Sequence, residues 1–308
     1  MKKMNVLSLF DGISCGMVAL ERAGIRVDKY YASEIDKNAI KISEKNYPGI
    51  VRLGDVTKWR EWEIDWTSID LLIGGSPCQS LSITQSKTRQ GLDGKSKLFF
   101  YFVDVLNHVK FFNPRVKFLF ENVASMTLES KKAIEMCLGV PLIYQNSNAF
   151  VAQDRPRFYG TNFVWSTVKK ECHLALRDIM EKDVPTSFFY NCEFDYHGDI
   201  CVAATLIMKG HDILKRVHSP NFKCHTLTTC GGGNTQKKVL DNGKPRKLTP
   251  VEYERLQGLP DNYTSCVSNT SRYTALGNGW TVDVIAHIFK NLKETEIACT
   301  GCNPAQAK

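Results

Sequence analysis

The stretch Ile73-Gly74-Gly75-Ser76-Pro77-Cys78-Gln79-Ser80 decides the fold that this sequence predicts. It ends the apolar run of residues 69–73, which is typical of a buried strand. The glycines let the backbone turn sharply and approach a bound group, and Pro77 restricts the chain just before Cys78. A thiol is therefore expected at the end of a strand, where open α/β sheets bind their ligands.

Two interpretations of Cys78 are open at this point. A cysteine in a glycine-rich turn is often a small buried apolar group. A thiol near a helix start or a cation can instead lose its proton near neutral pH, and the resulting thiolate is a nucleophile. The rest of the sequence favours the nucleophile.

Size and composition are those of a globular protein. The 308 residues allow one large domain, or one domain with a smaller partner. No apolar run approaches the roughly 20 residues that span a bilayer, and Met1-Lys2-Lys3-Met4 leads into a predicted strand rather than a signal peptide. The 11 cysteines are odd in number and lack a repeating frame, so we expect a reducing, cytoplasmic location without a disulfide scaffold.

The first half of the chain alternates apolar runs with helical periodicity, which predicts an α/β fold. A strand at residues 5–10 precedes the turn of residues 11–16 and a helix at 17–22, the opening unit of a nucleotide-binding fold. The turn lacks the full G-x-G-x-x-G pattern, so a dinucleotide is not specifically indicated.

Acidic residues follow three of the predicted strands: Glu34, Asp55 and Glu121. Glu34 can accept both ribose hydroxyls of an adenosine-containing cofactor, a feature shared by dinucleotide and S-adenosylmethionine sites. Asp55 can accept from an adenine amino group. Either acid alone would be a surface cap, but both at strand ends behind a glycine turn, with Cys78 near, favour a binding site.

The second half differs in composition. Helical periodicity fades from Val184, and we predict a small domain over 184–269, with the larger domain at 1–183 completed by 270–308. Within the small domain, residues 209–247 hold nine Lys/Arg against two acids, nearly all of the net +8 charge. This pattern fits a polyanion-binding surface, although a solvated lysine-rich face has the same composition. The final segments predict a capped helix at 249–256, a turn at 273–279 and a helix at 280–292.

These motifs resemble those of the DNA (cytosine-5) methyltransferases over nearly the whole chain. The similarity favours a bacterial or phage-type stand-alone enzyme, with further likeness to the catalytic domain of animal de novo DNA methyltransferases. The matching segments are Phe10-Asp11-Gly12…Gly16, Glu34, Gly54-Asp55-Val56, Pro77-Cys78-Gln79, Glu121-Asn122-Val123, Gln153-x-Arg155-x-Arg157, Thr249-Pro250-x-Glu252…Arg255-Leu256-Gln257-Gly258-Leu259-Pro260 and Gly277-Asn278-Gly279.

The resemblance implies a Rossmann-like S-adenosylmethionine-dependent methyltransferase fold with a mostly parallel mixed sheet and a small target-recognition domain. It also implies roles for four side chains. Cys78 would add to carbon 6 of a flipped-out cytosine, and Glu121 would bind N3 and the exocyclic amine. Arg157 would bind O2 of the base, while Arg155 would brace the site or contact a phosphate.

The resemblance implies S-adenosyl-L-methionine as methyl donor, S-adenosyl-L-homocysteine as product and no required metal. The residues expected to bind the cofactor are Phe10, Asp11, Gly12, Gly16, Glu34, Ile35, Asp55, Val56, Pro77, Leu98, Asn278 and Gly279. The residues expected to contact DNA are Gln79, Ser82, Arg89, Lys223, Thr228, Thr229, Gly232, Asn234, Gln236 and Lys238.

Double-stranded DNA is the partner that the resemblance implies, with a monomer expected and a cognate restriction endonuclease left open. One branch of the family modifies transfer RNA, so an RNA cytosine-5 methyltransferase is the alternative enzyme. A DNA-binding relative without activity is a third interpretation, but Cys78, Glu121, Arg157 and the cofactor glycines are all present. A nicotinamide-dependent dehydrogenase would explain the sheet but leave Cys78 and the basic segment without a role.

Overall fold

The computed structural model describes residues 3–77, 98–230 and 234–300, with side chains described up to residue 292 of the last helix. Its largest element is a seven-stranded sheet. The strands of this sheet are β1 (Met4–Leu9), β2 (Val27–Ser33), β3 (Val51–Arg52), β4 (Leu71–Gly74), β5 (Lys117–Val123), β6 (Leu142–Asn146) and β8 (Pro156–Thr161).

The strand order is β3-β2-β1-β4-β5-β8-β6. The first five strands in this order pair in parallel, whereas β8 is antiparallel to both β5 and β6. This confirms the predicted mostly parallel mixed sheet. Chain order reverses direction on either side of β1, so the carboxyl ends of β1 and β4 open a crevice of the kind in which such sheets bind ligands.

Helices cover both faces of the sheet. The helices are α1 (Cys15–Arg22), α2 (Lys37–Asn46), α3 (Leu98–Phe112), α4 (Leu128–Leu138), α5 (Asp212–Lys215), α6 (Pro250–Leu256), α7 (Asn269–Asn278) and α8 (Val282–Thr300). On one face, the sheet packs against α1, α2, α7 and α8 in one buried apolar cluster. On the other face, it packs against α3 and α4 in a second cluster. None of the helices, in the part of the chain described, is long and apolar enough to cross a membrane.

A smaller five-stranded sheet follows, with the order β14-β13-β11-β10-β9. A separate parallel pair joins β7, which falls between β6 and β8 of the large sheet in the chain, to β12, which falls between β11 and β13 of the small sheet. The strands are β7 (Gln153–Asp154), β9 (Phe194–Tyr196), β10 (Val202–Leu206), β11 (Arg216–His218), β12 (Cys224–His225), β13 (Lys238–Asp241) and β14 (Lys244–Lys247).

The chain after β14 packs with the large sheet. Tyr253, Leu256, Leu259 and Tyr263 are buried in the same cluster as α1 and α8. This stretch was expected in the small domain because it lies before residue 269. Its apolar contacts instead place it against the larger core.

The expected turn at 273–279 is wrong, because these residues belong mostly to α7. Ser268 caps this helix by accepting from the backbone N–H of Ser271, and Gly277 lies inside its last turn. Gly277 favours a turn by composition, but an added Cβ there would clash with the carbonyl oxygen of Thr228. Glycine is therefore needed for close backbone packing rather than for turning.

Candidate active site

A cleft of about 1030 Å³ runs along the carboxyl ends of the large sheet and reaches the small sheet. It brings together residues that lie far apart in the chain, as expected for an α/β ligand site. The predicted site residues that line it are Phe10, Asp11, Gly12, Gly16, Glu34, Pro77, Glu121, Arg155, Arg157, Thr228, Thr229, Gln236, Asn278 and Gly279.

Glu121 lies at the centre of a polar array in this cleft. Its Oε1 is 2.8 Å from Arg157 Nε, and its Oε2 accepts a hydrogen bond of 3.1 Å from Trp280 Nε1. The side chains of the ion pair are only 12–13% exposed. Both carboxylate oxygens are thus oriented by donors, which fixes the acid in a largely desolvated position.

The array follows from strand register. Glu121 in β5 pairs with Tyr159 in β8, and Val123 pairs with Arg157. Arg157 is therefore a diagonal cross-strand neighbour of Glu121 on the same face of the sheet, within reach of a long side chain. Arg157 Nη1 also donates to the carbonyl oxygen of Pro156 at 2.8 Å, which fixes the plane of the guanidinium.

The turn after β4 packs closely against Glu121 and Trp280. A Cβ added to Gly75 would lie 2.7 Å from Glu121 Oε2 and 2.9 Å from Trp280 Nε1. Only glycine allows the backbone so close to the carboxylate. Pro77, two residues later, lines the same cleft.

Arg155 connects three segments beside the array. It is 4% exposed; its Nη1 donates to the Leu227 carbonyl oxygen at 2.8 Å, and its Nη2 donates to those of Gly277 and Gly279 at 3.0 Å. Of the two roles expected for Arg155, this geometry supports the brace. Contact with a phosphate would require the guanidinium to leave these backbone acceptors.

The other end of the cleft fits an adenosyl group. The Glu34 carboxylate accepts from the backbone N–H groups of Gly12 at 2.8 Å, Ile35 at 2.7 Å and Asp36 at 2.8 Å. Ile35 is 69% exposed although it is apolar, and Phe10 lines the cleft near it. An oriented carboxylate beside two accessible apolar side chains suits a ribose and an adenine ring.

The glycine turn has an unusual backbone. Phe10 and Gly12 have positive φ angles of 57° and 59°, a conformation that costs a non-glycine residue free energy. Gly16 serves packing, because an added Cβ would lie 2.5 Å from Ile73 Cδ1. The turn therefore holds the N–H of Gly12 toward Glu34, while α1 lies close to the sheet.

Asp11 supports the turn instead of offering a free carboxylate. Its side chain is 1% exposed, and it accepts from Tyr30 Oη at 2.7 Å and Ser14 Oγ at 2.5 Å. Burial raises the pKa of this carboxyl group. The carboxylate oxygens are directed into the protein, and the cofactor contact expected of Asp11, which lines the cleft, stays a prediction.

Four expected cofactor residues lie outside the lining of the cleft: Ile35, Asp55, Val56 and Leu98. Asp55 accepts from the backbone N–H of Thr57 at 2.9 Å and begins a short helical turn. Val56 is 4% exposed. Their roles toward adenine stay predictions.

The small-sheet side of the cleft carries exposed polar groups. Thr228 and Thr229 are exposed beside α7, where Gly277 permits close backbone approach. Gln236 Oε1 is buried and has no hydrogen-bond partner within the described ranges. Lys237 lines the cleft. A buried acceptor without a partner is costly, so Gln236 is suited to a ligand donor.

Two expected DNA contacts are corrected. Lys223 Nζ donates to the carbonyl oxygens of Cys172 and Leu174, each at 2.9 Å. Lys238 is 1% exposed and donates to those of Asn234 at 2.8 Å and Gln236 at 2.9 Å. Burial lowers the pKa of Lys238 to about 8. Both ammonium groups are occupied inside the protein, so neither is free to meet a phosphate. Asn234 lies outside the lining of the cleft.

Five expected residues lie outside the described residues: Cys78, Gln79, Ser82, Arg89 and Gly232. Cys15 is the cysteine that lines the cleft in the described chain. Burial raises the pKa of its thiol to about 12, so Cys15 is not a thiolate near neutral pH.

A model of the C-5 cytosine-specific DNA methylase family matches residues 4–140 and 145–294. The chain belongs to this family. Membership makes it a DNA cytosine-5 methyltransferase and implies S-adenosylmethionine as methyl donor. The predicted family is thereby confirmed.

The chain is also similar to individual proteins. The Type II methyltransferase M.HhaI of Haemophilus parahaemolyticus is 28% identical over 319 residues, covering 94% of each chain. The Type II methyltransferase M1.ScrFI of Lactococcus lactis subsp. cremoris is 26% identical over 317 residues, covering 95% of this chain and 78% of that relative. The crystal structure of the S. pombe Dnmt2 methyltransferase has the same fold, with a TM-score of 0.67, 21% identity and coverage of 96% and 99%.

Trp280 is a site residue that the sequence did not predict. The expected helix at 280–292 begins with Trp280, whereas α8 begins at Val282. Its position directly after Gly277-Asn278-Gly279 was the available signal. An indole N–H next to a cofactor motif commonly needs a polar partner, and here that partner is Glu121.

Proposed function

We propose that this enzyme methylates carbon 5 of cytosine at a specific sequence in duplex DNA through a covalent intermediate on Cys78. The array of Glu121, Arg157 and Trp280 carries the proposal. It lies in one cleft with Glu34 and with Pro77, the residue that precedes Cys78 in the chain.

The proposed chemistry begins with addition of the Cys78 thiolate to carbon 6. The new S–C bond makes carbon 5 nucleophilic, because the electron pair of the 5,6 double bond moves there. Bound S-adenosylmethionine supplies the electrophilic methyl group. Removal of the carbon 5 proton by water then returns the electron pair, breaks the S–C bond and releases Cys78 as a thiolate.

Glu121 and Arg157 would recognise and activate the ring. Glu121 would bind N3 and the exocyclic amine, stabilising the protonated ring during thiolate addition. Arg157 would donate to O2 through the part of its guanidinium that is not used by Glu121 and Pro156. Trp280 would hold the second carboxylate oxygen, so the acid meets the base in a fixed orientation.

The burial of Glu121 and Arg157 supports a flipped base. The side chains of Glu121 and Arg157 are only 12–13% exposed inside the cleft, whereas a cytosine in duplex DNA has its ring edges paired and stacked. The target base must therefore leave the helix to reach them, which costs a few kcal/mol.

The cofactor would be held at the opposite end of the cleft. Glu34 would accept from the ribose hydroxyls, and Phe10 and Ile35 would contact the adenine ring. Gly12 and Asn278 would lie toward the methionine portion. This assignment places the donor and the base array in one continuous space.

Sequence recognition would come from the small-sheet side. Thr228, Thr229 and Gln236 offer side chains that can hydrogen-bond to base edges, and Lys237 can contact phosphate. Gln236 is the strongest candidate because its buried Oε1 lacks a partner among the residues the structure describes.

The test is methylation-sensitive sequencing of DNA from cells that express the parent chain, Cys78→Ser or Cys137→Ser. We expect cytosine methylation at one motif with the parent and with Cys137→Ser, whose side chain is exposed on α4. Cys78→Ser should leave the DNA unmodified while still binding S-adenosylmethionine. Methylation by Cys78→Ser at the parent rate would exclude the covalent mechanism.

A second measurement separates substrates. Purified protein is given labelled S-adenosylmethionine with duplex DNA or with transfer RNA. Preferred labelling of RNA would favour the RNA enzyme. Duplex DNA carrying 5-fluorocytosine should trap a covalent protein–DNA adduct with the parent, because fluorine cannot leave as a proton, and should form none with Cys78→Ser.

A further inference from the structure

Three potential metal ligands meet where the small sheet approaches the two-stranded β7–β12 pair. Cys201, His218 and His225 each offer one donor atom, and these atoms lie within 4.8 Å of one another. Cys201 precedes β10, His218 ends β11 and His225 ends β12. They form the one such cluster of His, Cys, Asp and Glu found across the described ranges.

The geometry is close to that of a tetrahedral site. Cys201 Sγ lies 3.5 Å from His225 Nε2. Bond lengths of about 2.3 Å to sulfur and 2.0 Å to nitrogen place two tetrahedral ligands roughly 3.5 Å apart around zinc. A small movement of His218 would complete the third bond.

His218 provides an independent observation. Its side chain is 2% exposed, and its Nδ1 is buried with no hydrogen-bond partner in the described chain. Leaving such an atom without a partner costs free energy. Its ring also lies nearly perpendicular to that of His225, with centroids 4.7 Å apart. One ring nitrogen of His218 lies within 4.8 Å of the donor atoms of Cys201 and His225.

We propose that Cys201, His218 and His225 bind one Zn²⁺ ion, with water from the cleft as fourth ligand. Cys201 would bind as a thiolate and release its proton to solvent. Both histidines line the cleft, so water can reach the ion. One thiolate and two imidazoles favour Zn²⁺ over Mg²⁺ or Ca²⁺, because the latter two ions prefer oxygen ligands.

The ion would fix the small sheet relative to the active site. Cys201 and His218 belong to the paired β10–β11 region, with Ser219 N–H donating to the Cys201 carbonyl oxygen at 3.2 Å. His225 lies in β12, whose partner β7 ends directly before Arg155. Zinc would therefore join the small sheet to the segment that carries Arg155 and Arg157. Its role would be structural rather than catalytic.

The test uses the full chain freed of metal with a chelator and titrated with Co²⁺ under reducing conditions. We expect one equivalent of Co²⁺ to give a thiolate-to-cobalt charge-transfer band with tetrahedral ligand-field absorption. Zn²⁺ should abolish these bands and raise the melting temperature of the parent. Cys201→Ser should lose the charge-transfer band, and His225→Gln should bind at least tenfold more weakly.

Two controls match the chemistry. Cys192→Ser removes a partly buried thiol of the same small domain, and the double variant Cys299→Ser/Cys302→Ser removes the carboxyl-terminal cysteine pair. Both should keep the band. Its absence from the parent, its persistence in Cys201→Ser, or its loss only in the double variant would overturn the proposal. The parent titration decides the matter even where a variant does not fold.

Discussion

Arg157 Nε lies 2.8 Å from Glu121 Oε1, although the two residues belong to strands that run in opposite directions. Trp280 Nε1 holds the other carboxylate oxygen. The acid is therefore oriented before any substrate arrives. Such an arrangement avoids reorganisation during the reaction, which is why we expect small changes here to affect turnover strongly.

Replacing Glu121 with Gln should lower kcat by about 10²–10⁴, because it removes the charge that would stabilise the protonated ring. Binding of S-adenosylmethionine should be retained. Steady-state kinetics with duplex DNA and calorimetric cofactor titration measure the two effects. Glu44→Gln, at an exposed position of α2, is the matched control; equal turnover by both variants would contradict the role of Glu121.

Trp280→Phe should reduce kcat roughly tenfold to a hundredfold. It keeps an aromatic ring but deletes the N–H donor to Glu121, and a hydrogen bond to a charged group contributes about 1.5–3 kcal/mol. Trp165→Phe is the control, because Trp165 Nε1 is buried without a partner in the described chain. Parent-like turnover by Trp280→Phe would show that the hydrogen bond has no part in the reaction.

Gly75→Ala should abolish most activity while leaving the protein folded. The new methyl group would lie 2.7 Å from Glu121 Oε2 and displace the carboxylate. Gly49→Ala tests the specificity of this effect, since nothing lies within 4 Å of a Cβ at that position. Circular dichroism and methylation assays on both proteins provide the comparison, and an active Gly75→Ala enzyme would refute the predicted clash.

Arg155→Met should destabilise the fold by about 3 kcal/mol or more. The substitution leaves the carbonyl oxygens of Leu227, Gly277 and Gly279 without their guanidinium donor in a buried place. Chemical denaturation measures this loss. Arg115→Met, at an exposed site, should change stability little. A stable but inactive Arg155→Met protein would point to a role in the reaction instead.

Lys238 should make stability depend on pH in the alkaline range. Its pKa falls from 10.5 to about 8 in the folded protein. Between these values the unfolded chain holds a proton that the folded state has released, so stability rises with pH by up to about 1.4 kcal/mol per unit. The contribution is unfavourable below pH 8 and is relieved as the pH approaches 10.5.

The measurement is the unfolding free energy of the parent minus that of Lys238→Met, determined from pH 7 to 10. The difference should move in favour of the parent as the pH rises, because the variant lacks the titrating group. Lys237→Met provides a functional contrast. It should weaken DNA binding and reduce its salt dependence, whereas Lys238→Met should not, since that ammonium group is internal.

The basic segment at residues 209–247 shows that composition alone does not tell surface cations from buried ones. Nine cations between Lys209 and Lys247 suggested a continuous polyanion-binding surface. Arg246 is instead fully buried between Asp241 and Glu252, and Lys223 and Lys238 donate to backbone carbonyls. A count of charges does not distinguish a cation in solvent from one that holds the fold together. Lys237 and Lys238, adjacent in sequence, differ in this respect.

Trp280 illustrates the same limit within the active site. The residues before it predict a cofactor motif, but its partner Glu121 lies in β5, 159 residues away in the chain. The distance between them depends on how α7, α8 and β5 pack. Periodicity and spacing carry no information about such a contact.

The sequence by itself determined the alternation of strands and helices, the mostly parallel sheet, the family and the presence of an acid near the carboxyl end of β5. These follow from local hydrophobic pattern and from motifs whose backbone requirements are short in range. Only the tertiary structure decided that Arg155 is a brace, that Asp11 faces inward and that Glu121 meets Arg157 and Trp280. Side chains from distant segments acquire their roles through burial and register, which exist only once the sheets have packed.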